Sequence, residues 1–524
     1  MNRRGLRRSS RSASLSLVLA AVSAALLLGA SGAAFAASDD AVPWPTAAWE
    51  VSTPEAQGVA SAALADLVDF GAANDMDSLL VVRHGRIVAE AYYAPFRPGM
   101  RHLVNSVTKA VVGTLAGIAV QSGEIRSLEE PVLESFRWRT VADAEGAKAQ
   151  IKIAHLLDMT SGLDWQEPLA PVPPESMLQM ERSRDWVGFV LDRPMANLPG
   201  STFNYNSGDW HLLSAILARK TGVDTLAYAR RTLFAPLGIA DATWRTDPQG
   251  IRTGGYGLSL QPGDMAKIGY LYLQRGRWAG QRIVADAWVD RVYQAPVDMM
   301  LGSSPQFRYA NGWWAIPAKR AYLAVGFLGQ LIIVLPDADV VAVVTAKGRS
   351  ALLPLIDRIA ATASSKAALP ADVDGNARLA ERVRAAALER ATPVGPASPL
   401  ATSISGKVWR FDRNPIGVRS LMLDLSAAEP RYRVEFESAR AGAPVHRVEG
   451  PIGLDGLSRS AESDGLVRAV KGRWLGDDTF EVVSQSVTEG IVTTARLGFR
   501  GREVDVTYAA NQGYTVRLHG VQSE

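Results

Sequence analysis

The chain has 524 residues, 47% of them apolar and 21% charged, with a formal charge of +3 at neutral pH. That length suits two or three domains with substantial cores, and the absence of cysteine excludes a disulfide scaffold, a thiol nucleophile and any thiolate metal site. The positive charge does not point to nucleic acid. Five arginines (Arg3, Arg4, Arg7, Arg8 and Arg11) precede the first acid at Asp39, and no basic stripe interleaved with aromatics follows them.

Those arginines open a targeting pattern. A basic start, an apolar stretch over residues 15–28 and the small-residue site Ala34-Phe35-Ala36 predict a signal peptide over 1–36, cleaved near Ala36. The product is expected to be exported, periplasmic or extracellular; Arg3-Arg4 also fits a twin-arginine signal. No later stretch is long and apolar enough to span a bilayer, so no stable membrane span is expected after cleavage. A lead-in containing Pro and Trp occupies residues 39–54. Residues 61–74 read as an amphipathic helix, and apolar alternation over 79–94, with His84-Gly85 at the turn, reads as two antiparallel strands.

Next comes Ser106-Val107-Thr108-Lys109, the only Ser-x-x-Lys in the chain, opening an apolar helical run out to Gly123. Ser106 then sits at a helix start, among free N–H groups at the positive dipole end, with Lys109 one turn on along the same face. Burial lowers a lysine pKa, which lets the amine accept a serine proton. A serine at such a position is otherwise a simple cap. Residues 151–163 predict a helix stopped at Gly162, and residues 184–191 another short one ended by Pro194.

In Phe203-Asn204-Tyr205-Asn206-Ser207 the tyrosine lies on a short loop between a Pro199-Gly200 turn and an apolar helix reaching Gly222. A phenol beside an ammonium loses its proton more readily and can serve as a base for a serine hydroxyl, although most tyrosines simply pack. Residues 324–335 carry Gly326 and Gly329 at the start of an apolar strand. After a Pro336-Asp337 turn comes a second strand, 340–344. The glycines let backbone approach a ligand, and an edge N–H near Gln330 can stabilise an oxyanion; a bulge is the plainer reading.

These three stretches, in this order, resemble the penicillin-recognising serine hydrolases, and more narrowly the class C β-lactamase-related branch with its esterases and 6-aminohexanoate-dimer hydrolases. The segments His155-Leu156-Leu157-Asp158-Met159-Thr160-Ser161-Gly162-Leu163, Gly254-Gly255-Tyr256-Gly257-Leu258, Asp264-Met265-Ala266-Lys267-Ile268-Gly269 and Gly276-Arg277-Trp278 add to the likeness, which covers about residues 45–365. The resemblance implies an α+β fold in which an antiparallel sheet is flanked by helices, with a helical subdomain. Ser106 would be the acylated nucleophile and Lys109 its proton partner. Tyr205 would be the base, and the N–H groups of Ser106 and Gln330 the oxyanion hole. Ser207, Phe327 and Gly329 fall where the family contacts substrate; no metal or cofactor is implied. The family's β-lactamases and D,D-peptidases carry Lys or His where this chain has Phe327, and class C enzymes an Asn where it has Ser207. Both departures favour a small-molecule ester or amide over β-lactams and cell-wall peptides. Trp165, Trp186, Trp313 and Trp314 can line an acyl pocket or pack the core.

A Ser-His-Asp triad would need one of six histidines, and no Gly-x-Ser-x-Gly elbow is present. His102, four residues before Ser106, is the nearest candidate, and His155 with Asp158 has helical spacing without further ligands. Residues 366–400 read as a helical linker. Beyond 401, short alternating strands such as 407–411, 432–436 and 503–508 predict an all-β barrel-like domain, similar to lipocalin-like modules appended to some of these hydrolases. The expected organisation is therefore a signal peptide (1–36), a hydrolase domain (37–365), a linker (366–400) and a barrel (401–524). The expected activity is that of a serine hydrolase, with a D,D-peptidase or β-lactamase, or a non-catalytic binding protein on the same fold, as the alternatives.

Overall fold

Strand Met76–Arg83 is buried along its whole length, and its alternate side chains enter two different cores. Leu79 and Val81 join one apolar cluster and Leu80 and Val82 another, which is what a period of two produces in a strand covered on both faces. A computed structural model describes residues 43–167, 175–299, 307–348, 351–437, 445–463 and 465–523, so the expected signal peptide lies outside the described residues.

The central sheet has nine strands in the spatial order Glu50–Val51, Arg86–Tyr92, Met76–Arg83, Val340–Ala346, Gln330–Leu335, Ala321–Gly326, Trp313–Ile316, Arg308–Ala310 and Val297–Asp298. Only the first pair is parallel. Helices Ser61–Ala73, Leu352–Thr362 and Val373–Ala386 cover one face through Leu64, Ile356 and Leu379. The last of these falls in the expected linker, yet packs on Ser61–Ala73 and the sheet; Arg378 and Arg382 pair with Asp66 and Asp69. The other face is covered by Val107–Gln121 and Pro262–Leu273, with the remaining helices stacked outside. The architecture is the expected α+β one.

Two elements differ from the sequence reading. The helix expected over 151–163 is confined to Ile153–Leu157, because Met159 is left-handed (φ 54°) and its carbonyl accepts from the Asn204 N–H at 2.9 Å. The apolar run 324–335 is two strands, Ala321–Gly326 and Gln330–Leu335, folded at Phe327-Leu328-Gly329. Leu328 and Gly329 both have positive φ, and Gly326 lies so close to the Val104 carbonyl that a Cβ would stand 2.4 Å from it. The glycines thus make a hairpin against the segment leading into Ser106.

Residues after 407 form a ten-stranded antiparallel sheet, ordered His446–Pro451, Arg431–Phe436, Val418–Asp424, Val408–Phe411, Tyr514–Gln522, Glu503–Ala510, Ile491–Arg500, Thr479–Ser486, Leu466–Trp474 and Arg459–Ser463. Its two end strands approach each other, since a Cβ on Gly450 would lie 3.7 Å from that of Ala461, and the sheet is nearly closed into a barrel. The barrel is joined to the central sheet by polar contacts. Buried Asp77 accepts from Lys347 (3.1 Å) and from the barrel's Gln485 (3.2 Å), and pairs with His102 (3.2 Å). The Leu103 N–H donates to the Thr488 carbonyl at 2.7 Å, and Arg245 pairs with Glu489.

Candidate active site

Ser106 immediately precedes helix Val107–Gln121, makes no side-chain capping hydrogen bond to it, and is half-buried. It is preceded by Asn105, a residue type that tolerates the left-handed φ of 48° found there, and this turn sets the serine at the helix end. Lys109, one turn on, is 1% exposed. Its Nζ donates to Ser106 Oγ (3.0 Å), Ser207 Oγ (3.0 Å) and the Gly255 carbonyl (2.8 Å). Three acceptors match the three protons of an ammonium. Burial nonetheless pulls the Lys109 pKa down to about 8, and the charge of Glu167 offsets only part of that. Gly255 is a glycine for a steric reason: a Cβ there would sit 2.8 Å from that of Ser207 and displace the lysine's other partner.

Tyr205 lies beside both groups, with Lys109 Nζ 4.8 Å from its ring centroid. The ammonium therefore meets the aromatic face, and the phenol is not made more acidic as the sequence reading expected. Burial and then the Glu167 charge push the Tyr205 pKa up, and hydrogen bonding with the Ser106 hydroxyl recovers part of the rise. Tyr205 rests as a neutral phenol.

Glu167 is the site residue that the sequence did not suggest. It accepts from Ser207 Oγ (2.7 Å), the Ser207 N–H (2.8 Å) and Trp165 Nε1 (2.7 Å). Ser207, the first residue of helix Ser207–Thr221, accordingly passes its own proton toward Glu167 while accepting from Lys109. Glu167 follows an irregular loop with no periodicity, so nothing in the sequence tied it to a serine forty residues later. Farther in, Asp209 is fully buried and held well above the carboxylate range, chiefly by burial.

The hairpin of the third stretch reaches the site through backbone. Asn105 Nδ2 donates to the Phe327 carbonyl at 2.9 Å, placing the hairpin tip beside the nucleophile. Gln330 is fully buried; its side chain donates to the carbonyls of Ala346 (2.7 Å) and Phe327 (3.2 Å), bracing the turn from behind. The Gly329 N–H closes the turn on the Gly326 carbonyl at 3.2 Å. Ser106, Lys109, Tyr205 and Ser207 thus converge directly, and Phe327, Gly329 and Gln330 join them through one turn.

The histidines have other duties. His102 bridges Asp77 and the Leu103 carbonyl behind the site, and His155 Nδ1 accepts the Lys152 N–H at a helix start. Among the described residues no group of three or more His, Asp or Glu side chains is arranged to hold a metal ion. Trp165, Trp186 and Trp313 are buried in the core beside the site and Trp314 packs against it.

The Beta-lactamase family model matches residues 49–364. The chain belongs to that family. Over 286 residues it is 30% identical to the 6-aminohexanoate-dimer hydrolase of Paenarthrobacter ureafaciens, an alignment covering 51% of this chain and 71% of the relative. A shorter alignment of 119 residues is 34% identical to monacolin J acid methylbutanoyltransferase of Aspergillus terreus and covers 22% of this chain and 28% of that one. A solved Bacillus anthracis structure, named as a 6-aminohexanoate-dimer hydrolase, superposes with a TM-score of 0.53 at 20% identity. It covers 62% of this chain and 90% of its own, a likeness of fold. These Beta-lactamase family alignments include hydrolases, and no helix among the described residues is long and apolar enough to cross a membrane.

Proposed function

We propose that the chain is an exported serine hydrolase that opens an ester or small amide through an acyl-enzyme on Ser106. The observation that carries this reading is the 3.0 Å contact from Lys109 Nζ to Ser106 Oγ, made by a buried lysine whose pKa is lowered to about 8. Near neutral pH a fraction of that lysine is unprotonated. It takes the Ser106 proton as Oγ bonds to the substrate carbonyl carbon. The carbonyl oxygen becomes an oxyanion, for which we assign the Ser106 N–H at the helix start and the Gln330 N–H of the hairpin as donors. Collapse breaks the bond to the alcohol or amine, which leaves with the lysine's proton passed through the neutral Tyr205 phenol. Water, deprotonated by the same pair, then hydrolyses the acyl ester to a carboxylic acid and restores Ser106.

Ser207 is occupied by Lys109 and Glu167, and we assign it to holding the lysine in place. We assign Phe327 and Gly329, at the hairpin tip, to the substrate side of the site, and the absence of a cation at position 327 argues against β-lactams and D-alanyl peptides. Likeness to the 6-aminohexanoate-dimer hydrolase supports an amide among the substrates. Export rests on the basic, apolar and small-residue pattern of residues 1–36.

The deciding experiment is intact mass of wild type and Ser106→Ala after a fluorophosphonate, alongside turnover of nitrophenyl acetate, the linear 6-aminohexanoate dimer and a chromogenic cephalosporin. One adduct on wild type alone, with ester or dimer turnover, is the expected result. Rapid cephalosporin turnover would move the assignment to a β-lactamase, and neither adduct nor turnover to a binding protein.

A further inference from the structure

The interior of the C-terminal barrel is packed at one end and holds a cavity toward the other. At one end Trp409, Trp474, Phe480 and Phe499 pack tilted against one another, with ring centroids of Trp409–Phe499 5.2 Å and Trp474–Phe480 5.1 Å apart. Gly472 makes room for this plug, since a Cβ there would stand 2.5 Å from the Phe480 ring. Toward the other end the inward positions of three adjacent strands shrink to Val470, Val482, Ser484, Thr493 and Ala495, and a cavity of about 370 Å³ opens between them and the larger Phe411, Tyr432, Phe436 and Tyr508. That volume falls in the range of small-molecule sites.

The wall is mostly apolar, with the hydroxyls of Tyr432, Ser484, Thr493 and Tyr508 as neutral polar groups, and its charge lies at one corner, where Arg468 stands opposite Ser486 in the strand ladder. Three features of that corner decide the ligand. Glu489 also lines the cavity, but Arg245 balances its charge and Ser486 Oγ donates to it at 2.9 Å. Arg468 has no carboxylate within ion-pair distance among the described residues, and its Nη1 is buried without a hydrogen-bond partner. His446 also lines the cavity and lies against the Phe436 ring at 6.0 Å. A buried guanidinium nitrogen with no acceptor is costly unless something supplies one. Arg468 and Trp474 lie on the same face of one strand, six residues and about 20 Å apart, so an extended chain fits between the charge and the plug.

We propose that the barrel is a binding site for a single-chain anionic amphiphile, its carboxylate on Arg468 and its hydrocarbon tail running past Val482 and Ala495 toward the aromatic plug. This site is separate from Ser106 and does not depend on the hydrolase assignment.

Titration calorimetry of the full chain with dodecanoate, below its micelle concentration, tests the site. One equivalent should bind, and dodecyltrimethylammonium, which has the same tail and the opposite charge, should bind at least about tenfold more weakly. Arg468→Gln should weaken dodecanoate by about ten- to a hundredfold. Ala495→Trp, which fills the cavity, should abolish binding while circular dichroism shows an intact fold. In crystals soaked with ω-bromododecanoate, anomalous scattering should place the bromine between Val482 and the plug. No binding to folded wild type, equal affinity for the two charges, or bromine at the Ser106 pocket would each overturn the proposal.

Discussion

Lys109 and Arg468 are both cations turned into the interior of a fold, and their surroundings differ at every point. Lys109 donates to three protein acceptors within 3.0 Å, is 1% exposed, and has its pKa lowered to about 8 by burial. Arg468 borders a cavity of about 370 Å³ and keeps a buried nitrogen without an acceptor. A closed network tunes a proton affinity, which is what a proton-transfer group requires. An open one leaves a charge to be met from outside, which is what a receptor requires. The same physical cost of burying charge is thus settled inside the protein in one region and left for a ligand in the other.

The largest effect that sharpens this contrast is at Ser106. Ser106→Ala should lower ester kcat/KM by at least about ten-thousandfold with little change in folding, since it removes the bond-forming atom and leaves the helix and the lysine network in place. Steady-state kinetics beside a melting curve checks both halves; a residual rate within a hundredfold of wild type would remove Ser106 from the chemistry.

Next in size is the joint between the two regions. Asp77 is fully buried, and burial by itself would raise its pKa. The His102 hydrogen bond and the Lys347 charge outweigh that, and hold it below the ordinary value. A lowered carboxylate pKa contributes stability that is present above the unfolded pKa and lost as pH falls through the folded one. Asp77→Asn should therefore cost about 3–5 kcal/mol at pH 7, with the deficit against wild type shrinking in acid below the ordinary carboxylate range. Urea midpoints at pH 7 and at pH 3 measure the difference.

Packing gives the third test. Gly113 lies in helix Val107–Gln121, where a Cβ would stand 2.1 Å from the Asn311 carbonyl oxygen. Gly113→Ala offers better helix propensity but cannot fit without a backbone shift. It should destabilise by about 1–3 kcal/mol, read from the urea midpoint.

Much of this was legible in the sequence, and what was not has a common cause. The Ser106 helix start, the tyrosine loop and the β barrel all follow from local pattern: helical period after Ser-x-x-Lys, turn residues before Tyr205, alternation beyond residue 407. The hairpin at Phe327-Leu328-Gly329 was hidden because a buried strand pair reads as one apolar run when only glycines mark the turn. Glu167 was hidden because its meaning lies in Ser207 and Lys109, which only the tertiary fold brings to it. The neutrality of Tyr205 was hidden for the same reason, since its proximity to Lys109 is evident from the motifs but the face it offers the cation is not. The barrel cavity depends on which small residues share a level across three neighbouring strands, a pattern no single strand carries.

Glu167 yields a smaller and more diagnostic effect. Its charge opposes the burial that lowers the Lys109 pKa, so Glu167→Gln should lower that pKa further. If the unprotonated amine is the base, kcat/KM rises with pH through a midpoint near 8 in wild type, and the midpoint moves to lower pH in the variant. The plateau rate should fall by about tenfold, because Ser207 loses a charged acceptor. A pH profile that does not move would separate Glu167 from Lys109 and leave it a purely structural acceptor.

The smallest effect is the converse of Gly113→Ala. Ala495→Leu adds three carbons to the barrel interior, more than the methyl that the helix cannot accept, yet it points into open volume between Val482 and Leu497. Adding apolar bulk to a true void replaces lost contacts without displacing neighbours, so the variant should stay within about 1 kcal/mol of wild type, on the stabilising side. Urea midpoints of the two variants, taken side by side, measure the difference in filling between the two interiors. A destabilisation of Ala495→Leu equal to that of Gly113→Ala would mean the barrel closes on itself in solution, and the room assigned to a ligand's tail would not be there.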